Sequence, residues 1–370
     1  MASSIRRTGR PVAFVDVRHE NGCNEPGWIR TSDHVHYEWR ALTAELRARG
    51  DPKRRASHAS GTADVTTVRA FTMSGSPTNL TPRPCILCRG DRHRVAFVEH
   101  GIDVVRCMNC GHVSSTFEQD PDYANYWGPG DISDDHRYWF EEAHRAMYRA
   151  FTRRFMTGCS GRLLDVGAGL GYFLAAISQE PRWELHGHEI SPSAVEYART
   201  TLQLTGIRCG RVQDSGHAPG SIDLITLWDV IEHIPHPHEL LRYLRTLLTP
   251  QGLLFLHTPN ALVQLPKARL KRMVRGMREG IHYLEARDHV HIYTTATMRM
   301  LLTQCGFEGI EFHHLPPIQS VSGSRGSLPR LVKRVGFAAT ALLARSSGER
   351  LNFDNLFVTC RTSPVSRSAP

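Results

Sequence analysis

The strongest constraint in this chain is a short glycine-rich turn between an apolar strand and a helix. Residues Leu163 to Leu174 read Leu-Leu-Asp-Val-Gly-Ala-Gly-Leu-Gly-Tyr-Phe-Leu, with glycine at positions 167, 169 and 171. Glycine has no Cβ atom, so these positions let a ligand lie against the backbone and let the chain take positive φ values. The turn therefore predicts a nucleotide-binding loop in an α/β domain.

Two carboxylates indicate which kind of nucleotide this loop binds. Asp165 lies just before the first glycine, where it would repel a pyrophosphate but suits a cationic ligand. Glu189 ends the next predicted strand, 18 residues after Gly171, and a carboxylate there can accept both ribose hydroxyls. The glycine spacing also differs from the Gly-x-Gly-x-x-Gly pattern of dinucleotide domains. These features favour an adenosyl ligand.

Strand and helix patterns alternate regularly from residue 162 onward. The predicted strands are 162–166, 183–188, 207–212, 222–227, 252–257 and 309–314, and the predicted helices are 172–178, 192–204, 238–248 and 295–304. Such alternation predicts a parallel sheet covered on both faces, with ligands at the carboxyl ends of the strands. A last strand, Asn355 to Arg361, follows without a helix that must cross the sheet, so we expect it to be antiparallel.

These stretches resemble a known family of enzymes. Leu163 to Leu174 is similar to motif I of class I S-adenosylmethionine (SAM) methyltransferases, and Gly220 to Pro237 resembles the fourth-strand motif of the ubiquinone-biosynthesis type. Further matches to that group are Thr258-Pro-Asn260, His289-Val-His-Ile-Tyr-Thr294 and the segment 301–307. The resemblance spans roughly residues 85–361. It implies an α/β, Rossmann-like class I methyltransferase fold with parallel strands and an antiparallel last strand.

The resemblance also implies roles for single residues in SAM binding. It assigns Gly167, Gly169 and Gly171 to contact with SAM. Asp165 is assigned to the amino acid end of SAM, Glu189 to its ribose and Asp214 to its adenine amino group. Trp228 is assigned to the same pocket.

Catalysis needs an aligned acceptor and, for a hydroxyl acceptor, a base that removes the proton. Histidine is the natural base, and the candidates at strand ends or on the cover segment are His233, His236, His257, His289 and His291. We take His233 as the first choice and His289 as the reserve. The alternative to a catalytic role is that each of these histidines only forms hydrogen bonds with the backbone of a loop.

A possible metal site overlaps this group. Asp229, Glu232 and His233 look like the divalent-metal site suggested for the ubiquinone O-methyltransferases, and two carboxylates would suit Mg²⁺. Glu232-His233 also occurs in members of this broad group without a known metal, so both interpretations stay open.

Four cysteines predict a second metal site. Cys85-x2-Cys88 and Cys107-x2-Cys110 are separated by 18 residues, which fits a four-thiolate zinc ribbon with a structural or recognitional role. The alternative is four buried or redox-active thiols. The other five cysteines are scattered, which is typical of a protein from a reducing compartment, here the cytoplasm.

The domain organisation follows from these motifs. We predict a disordered or wrongly assigned extension at 1–80, with Met73 as an alternative start, then a zinc ribbon at 81–118 and a helical cover at 119–160. The SAM-binding domain comprises 161–315 and 351–363, with a lid insertion at 261–287 and a helical insertion at 316–350.

The charge distribution bears on partners. The net charge is +9, but segments 1–84, 262–287 and 316–370 hold +16 of it, which leaves −7 for the rest. A basic lid at 261–287 suggests an anionic acceptor, although a solvated amphipathic helix explains the pattern equally well. The pattern of Leu328 to Arg345 permits peripheral membrane contact, docking on the domain or contact with a second subunit.

The predicted function is transfer of a methyl group from SAM to a small-molecule or glycan-type acceptor, at oxygen. One alternative is a zinc-ribbon RNA base methyltransferase, but Leu227 to Val230 lacks the Asn/Asp-Pro-Pro-Tyr/Phe motif of base amino-nitrogen methylation. The acidic body also lacks a basic stripe, so we expect no nucleic acid partner. The other alternative is a non-catalytic SAM-fold scaffold, which the intact glycine loop disfavours.

Overall fold

The computed structural model describes residues 83–117, 127, 137–316, 318, 335, 338, 339, 342, 346 and 355–362. The predictions for 1–80, including the start at Met73, lie outside these residues, as do the first part of the helical cover and most of the 316–350 insertion.

The described residues form eleven strands, six α-helices and four shorter helical turns. The strands are β1 (His93–Glu99), β2 (Ile102–Cys107), β3 (Val113–Ser115), β4 (Gly161–Val166), β5 (Trp183–Glu189), β6 (Ile207–Cys209), β7 (Ile222–Trp228), β8 (Leu248–Pro259), β9 (His291–Ile292), β10 (Phe307–His313) and β11 (Asn355–Thr362). The α-helices are α1 (Arg145–Phe151), α2 (Tyr172–Ile177), α3 (Pro192–Thr200), α4 (Pro237–Leu247), α5 (Ala261–Arg275) and α6 (Thr295–Gln304). The turns are π-helical at Tyr138–Ala143 and Thr152–Met156 and 3-10 at Val212–Asp214 and Ile231–His233. No helix of the described residues is both long enough and apolar enough to cross a bilayer.

The main sheet confirms the predicted fold class. Its seven strands lie in the order β10-β11-β8-β7-β4-β5-β6. Strands β6, β5, β4, β7 and β8 pair in parallel in this order, whereas β11 is antiparallel to both β8 and β10. The strand order reverses between β4 and β7, which opens a crevice at the carboxyl ends of these strands. This arrangement is the class I methyltransferase fold.

Several predicted elements differ from the structure in their length or continuity; for example, the strand predicted at 252–257 extends over Leu248–Pro259. Helix α3 ends at Thr200 and β6 at Cys209, because Gln203 (φ 58°) and Gly210 (φ 118°) take backbone angles that neither helix nor strand can continue. Within the helical cover predicted at 119–160, the described residues form α1 flanked by two π-helical turns. Its buried residues Met147 and Phe151 pack on the main sheet through Phe255 and neighbouring side chains.

The cysteine-containing segment and the 261–287 insertion form one structure. A second, antiparallel sheet has the order β1-β2-β3-β9, so its last strand comes from residues beyond the insertion. Helix α5 buries Leu265 against Phe97 and Val104 of this sheet, while Met273 is 76% exposed. The insertion is therefore neither a free lid nor a fully solvated helix, since one face of α5 packs on the sheet of the cysteine segment.

Candidate active site

The three glycines of the loop have different functions in the fold. All have positive φ, at 70°, 52° and 83° for Gly167, Gly169 and Gly171. A Cβ atom at Gly167 would lie 2.6 Å from Val230, and one at Gly171 would lie 2.6 Å from Leu204. At Gly169 the nearest atom would be 3.9 Å away. Packing therefore requires the two outer glycines, whereas Gly169 faces open space in which a ligand can lie.

Glu189 holds this loop directly. Its Oε2 accepts a hydrogen bond from the Gly169 amide at 2.8 Å, and its Oε1 accepts one from the Ser191 amide at 2.9 Å. Burial raises the pKa of Glu189 above its usual value, although these amides act in the opposite direction. A carboxylate has about four acceptor positions, so Glu189 can hold the loop and still accept ribose hydroxyls as predicted.

Asp165 is a buried carboxylate with one neutral hydrogen-bond donor. Its Oδ1 accepts a hydrogen bond from the Thr226 hydroxyl at 2.7 Å, and the residue is 2% exposed. Burial raises the pKa of Asp165 to about 8, and the nearby charge of Glu189 adds to this. A bound cation would favour the ionised form, so this position fits the cationic ligand expected from the sequence.

Two adjoining cavities lie at the carboxyl ends of the strands. The first, about 650 Å³, is lined by the glycine loop, Asp165 and Glu189, and the second, about 440 Å³, by Val212 and Gln213 after β6. Gly167 and Val230 line both cavities, so the two meet at the glycine loop. Asp214 lies exposed on the turn after these residues, so its role with adenine stays a prediction.

Trp228 forms an aromatic wall of the first cavity. Its ring lies 4.7 to 5.3 Å, between centroids, from those of Tyr148, Phe151, Phe173 and Phe255. The buried indole Nε1 has no hydrogen-bond partner among the described residues. Since buried donors normally have a partner, this N–H is suited to a ligand acceptor in the cavity.

His233, the predicted base, and His289, the second candidate, lie together in the first cavity. Their ring centroids are 4.8 Å apart. Nδ1 of His233 lies 3.0 Å from the Asp288 carbonyl oxygen, and Nε2 of His289 lies 3.3 Å from Oε2 of Glu285. A neutral His233 that donates from Nδ1 keeps its lone pair on Nε2, where it can accept a proton.

Both imidazoles favour the neutral form. Burial lowers the pKa of His233 to about 4, and His289 contributes in the same direction. Burial also lowers the pKa of His289, against the opposing charges of Asp288 and Asp229. At neutral pH both rings are therefore proton acceptors rather than cations.

The other three candidate histidines are engaged elsewhere. His257 is fully buried, with Nδ1 3.0 Å from Oδ1 of Asp229. His291 contacts His112 at 3.2 Å and the carbonyl oxygen of Pro235 at 3.3 Å. His236 lines the second cavity.

Several cavity residues were not found from the sequence. Glu285 faces the first cavity, where desolvation raises the pKa of its carboxyl group to about 7, with Asp288 and Glu99 adding to the effect. His144, Tyr148, Gln264 and Asn355 line the same cavity from three separate segments. Sequence periodicity carries no signal for this set, because only tertiary contacts bring the segments together.

A possible metal group differs from the predicted one. Among the described residues, Glu232, His233 and His289 place ligand atoms within 4.8 Å of one another, whereas the Asp229 carboxylate contacts His257. Glu232 Oε1 is buried without a hydrogen-bond partner in the described part of the chain. Two imidazoles and one carboxylate suit a transition metal better than Mg²⁺, which prefers oxygen ligands. The predicted Mg²⁺ set of Asp229, Glu232 and His233 is therefore not assembled.

The four predicted cysteine ligands converge. Their Sγ atoms lie within 4.8 Å of one another, with 3.5 Å between Cys85 and Cys110 and 3.4 Å between Cys88 and Cys107. Ligands of a tetrahedral zinc ion with bonds of about 2.3 Å lie about 3.8 Å apart. Gly111 has φ 77°, as expected after the second Cys-x-x-Cys turn. The donor set and its geometry fit a zinc ion.

The chain is similar to known methyltransferases. Residues 136–311 match the family model described as a methyltransferase domain. Ubiquinone biosynthesis O-methyltransferase from Neisseria meningitidis is 30% identical over 122 residues, which cover 31% of this chain and 50% of that protein. The protein of the same name from Bordetella avium is 25% identical over 174 residues, which cover 44% and 70% of the two chains.

The extent of these matches is limited. This chain spans about half the length of the first curated relatives that it matches. Among solved structures, Haemonchus contortus phosphoethanolamine N-methyltransferase 2 is 16% identical with a TM-score of 0.46, and the match covers 68% of this chain and 63% of that chain.

Proposed function

We propose that this chain, whose residues 136–311 form a methyltransferase domain, transfers a methyl group from SAM to an oxygen atom of a small-molecule acceptor. The observation that carries the proposal is the pairing of a ligand-facing glycine loop with neutral His233 in one cavity. The names of the curated relatives, ubiquinone biosynthesis O-methyltransferases, support oxygen as the acceptor atom.

The cofactor half of the cavity contains groups for each part of SAM. Gly169 leaves space against the backbone, Glu189 can accept the ribose hydroxyls, and Asp165 offers a buried carboxylate to the cationic amino acid end. Bound SAM supplies an activated methyl group on its sulfonium. The protein has to align the acceptor oxygen with that methyl group and take up the acceptor proton.

His233 is the proposed proton acceptor. Its Nδ1 lies 3.0 Å from the Asp288 carbonyl oxygen, which fixes the ring. A neutral imidazole that donates from Nδ1 accepts a proton at Nε2, so Nε2 is the proposed acceptor for the hydroxyl proton. His289 packs against this ring, and Glu285 lies 3.3 Å from His289 Nε2. The negative charges of Asp288 and Asp229 favour the positive charge that His233 gains.

The acceptor half contains polar side chains from α5 that can bind a polar acceptor. Gln264 and Lys267, one turn apart on α5, both line this part of the cavity. An ammonium group there can pair with a carboxylate or phosphate of the acceptor. Asp229, Glu232 and Glu285 line the same cavity, so Lys267 is the position that suits an anionic group. We therefore propose a hydroxylated acceptor, either a glycan-type molecule or another small metabolite, with any anionic group bound at Lys267.

Incubation with methyl-labelled SAM and fractionated extract of the source cells tests this function. We expect label in a small-molecule fraction, and no label with a Gly169→Val variant. Label in RNA would favour the base methyltransferase instead, and label in no fraction would favour a scaffold.

The zinc site is a separate proposal. We expect purified protein to contain about one zinc per chain, and a Cys85→Ser, Cys107→Ser double variant to lose the metal. Cys159→Ser, at an exposed cysteine, is the matched control and should keep it. Metal-free protein with four alkylatable thiols at these positions would contradict the proposal. Seven of the eight cysteines in the described residues are free thiols, and Cys209 is disulfide-bonded. Because free thiols predominate in reducing compartments, we also propose a cytoplasmic location.

A further inference from the structure

Glu99, at the end of β1, is a buried carboxylate without a role in the site described so far. It is 1% exposed. Its Oε1 accepts hydrogen bonds from the amides of Tyr283 and Leu284, the second at 2.9 Å, and its Oε2 accepts one from the Ala286 amide at 2.6 Å. Three backbone amides of residues 283–286 thus donate to one side chain, Glu99, which belongs to the sheet of the cysteine segment.

That segment is held by the same sheet at its other end. The Ser115 amide donates to the Val290 carbonyl oxygen at 2.9 Å, and Val113 and Ser114 of β3 pair with Ile292 and His291 of β9. Residues 285–289, which include the attached Ala286 and end just before Val290, are named here the acceptor loop. Both of its ends are therefore fixed to the sheet that carries the cysteines.

The acceptor loop carries three groups that face or support the proposed base. Glu285 and His289 line the cavity, and the Asp288 carbonyl oxygen lies 3.0 Å from His233 Nδ1. Within the loop, the amides of Asp288 and His289 both donate to the Glu285 carbonyl oxygen at 2.8 Å, and Glu285 has φ 54°. Such a tight turn with a positive φ at a non-glycine residue persists only where surrounding contacts hold it.

We propose that Glu99 is a positioning residue for methyl transfer: its three amide bonds hold the acceptor loop so that Asp288 and His289 orient His233. This inference rests on the proposed function, since it assigns the support of the proposed base. It also assigns the cysteine-containing sheet to the acceptor side of the reaction, beyond the purely structural or recognitional role expected from sequence.

The physical consequence of removing this carboxylate is specific. Buried amides left without an acceptor gain by moving toward water, so the acceptor loop should open and His233 should lose its fixed orientation. A displacement of about 1 Å at a catalytic group can reduce the rate about 100-fold. The groups proposed to bind the cofactor, Gly169 and Glu189, bond to each other and not to this loop, so SAM affinity should be retained.

The test uses the full chain with Glu99→Gln and Glu99→Ala, and with Arg94→Ala as a control on the exposed side of the same strand. Glu99→Gln keeps the size of the side chain and one acceptor oxygen, so it serves if Glu99→Ala fails to fold. We expect both Glu99 variants to lower kcat at least about tenfold, with Glu99→Ala lower. Amide exchange of residues 283–289 should rise by about tenfold or more, while SAM affinity by calorimetry should stay within about twofold.

Each outcome bears on the inference. Unchanged kcat with faster amide exchange would show that Glu99 only stabilises the loop, and unchanged exchange would show that it does not hold the loop; either result overturns the proposal. A parallel loss of SAM affinity would also contradict it, because the effect would then be general. If the parent protein transfers no methyl group at all, the proposed function fails, whereas the exchange measurement still tests the hold of Glu99 on the loop.

Discussion

Glu189→Ala is expected to weaken SAM binding by at least about 100-fold. The change removes hydrogen bonds to the ribose hydroxyls, each worth about 1.5 to 3 kcal/mol when one partner is charged. It also removes the acceptor for the Gly169 amide, which shapes the glycine loop. Isothermal calorimetry with SAM measures the effect, and Glu196→Ala, at an exposed carboxylate on α3, is the matched control.

Gly169→Val should reduce SAM affinity to a similar extent, for a different reason. A Cβ at Gly169 would lie 3.9 Å from its nearest protein atom, Trp127 Nε1, so a side chain there extends into the open space in which the ligand would lie. The φ of 52° also strains a β-branched residue at this position. Gly171→Ala is the useful contrast, because a Cβ there lies 2.6 Å from Leu204 and should lower stability instead. Unchanged SAM affinity in both Glu189→Ala and Gly169→Val would show that the loop does not bind SAM.

His233→Ala is expected to lower kcat by at least about 100-fold, since removal of a general base typically costs about 100-fold to 10,000-fold. SAM affinity and folding should be nearly unchanged. His93→Ala, at the outer end of β1 near Asp91, controls for loss of a histidine outside the cavity. A double variant with His289→Ala separates a shared role from an exclusive one.

The pH dependence of the parent adds a second readout. The base must be neutral, so activity is lost as pH falls through the pKa of His233 in the folded protein. Because burial lowers that pKa from 6.5 to about 4, activity should persist below pH 6.5 and decline toward about pH 4. Turnover of His233→Ala within a few-fold of the parent from about pH 6 to 9 would instead favour alignment without a base.

The cofactor half of the site could be predicted from the sequence because it depends on local patterns. Gly167, Gly169 and Gly171 need positive φ at fixed spacing, and Glu189 ends the neighbouring strand, so the fold class brings Glu189 to the loop. The antiparallel β11 was predictable for the same kind of reason, since no helix had to cross the sheet before it. The predicted ends of α3 and β6 were wrong, because Gln203 and Gly210 take backbone angles that hydrophobic periodicity does not reveal.

The acceptor half of the site depends on tertiary contacts, so most of it could not be predicted from the sequence. Glu285 lies in a turn of no regular period, and Glu99 reaches its backbone partners across more than 180 positions of sequence. The grouping of Asp229 with His233 was predicted from the family resemblance, but Asp229 contacts His257 on the adjacent β8 while His289 takes its place. The positions of neighbouring strands and of the acceptor loop, rather than the spacing of residues in the sequence, determine which of these side chains are in contact.

The atom that receives the methyl group tests the central claim most directly. Parent protein, ¹³C-methyl SAM and the labelled fraction from extract would yield a product whose methyl carbon can be assigned by nuclear magnetic resonance. We predict a methyl carbon bonded to oxygen, formed by the parent but at least about 100-fold more slowly by His233→Ala. A methyl group on nitrogen or carbon, or no methylated product, would contradict a SAM-dependent O-methyltransferase.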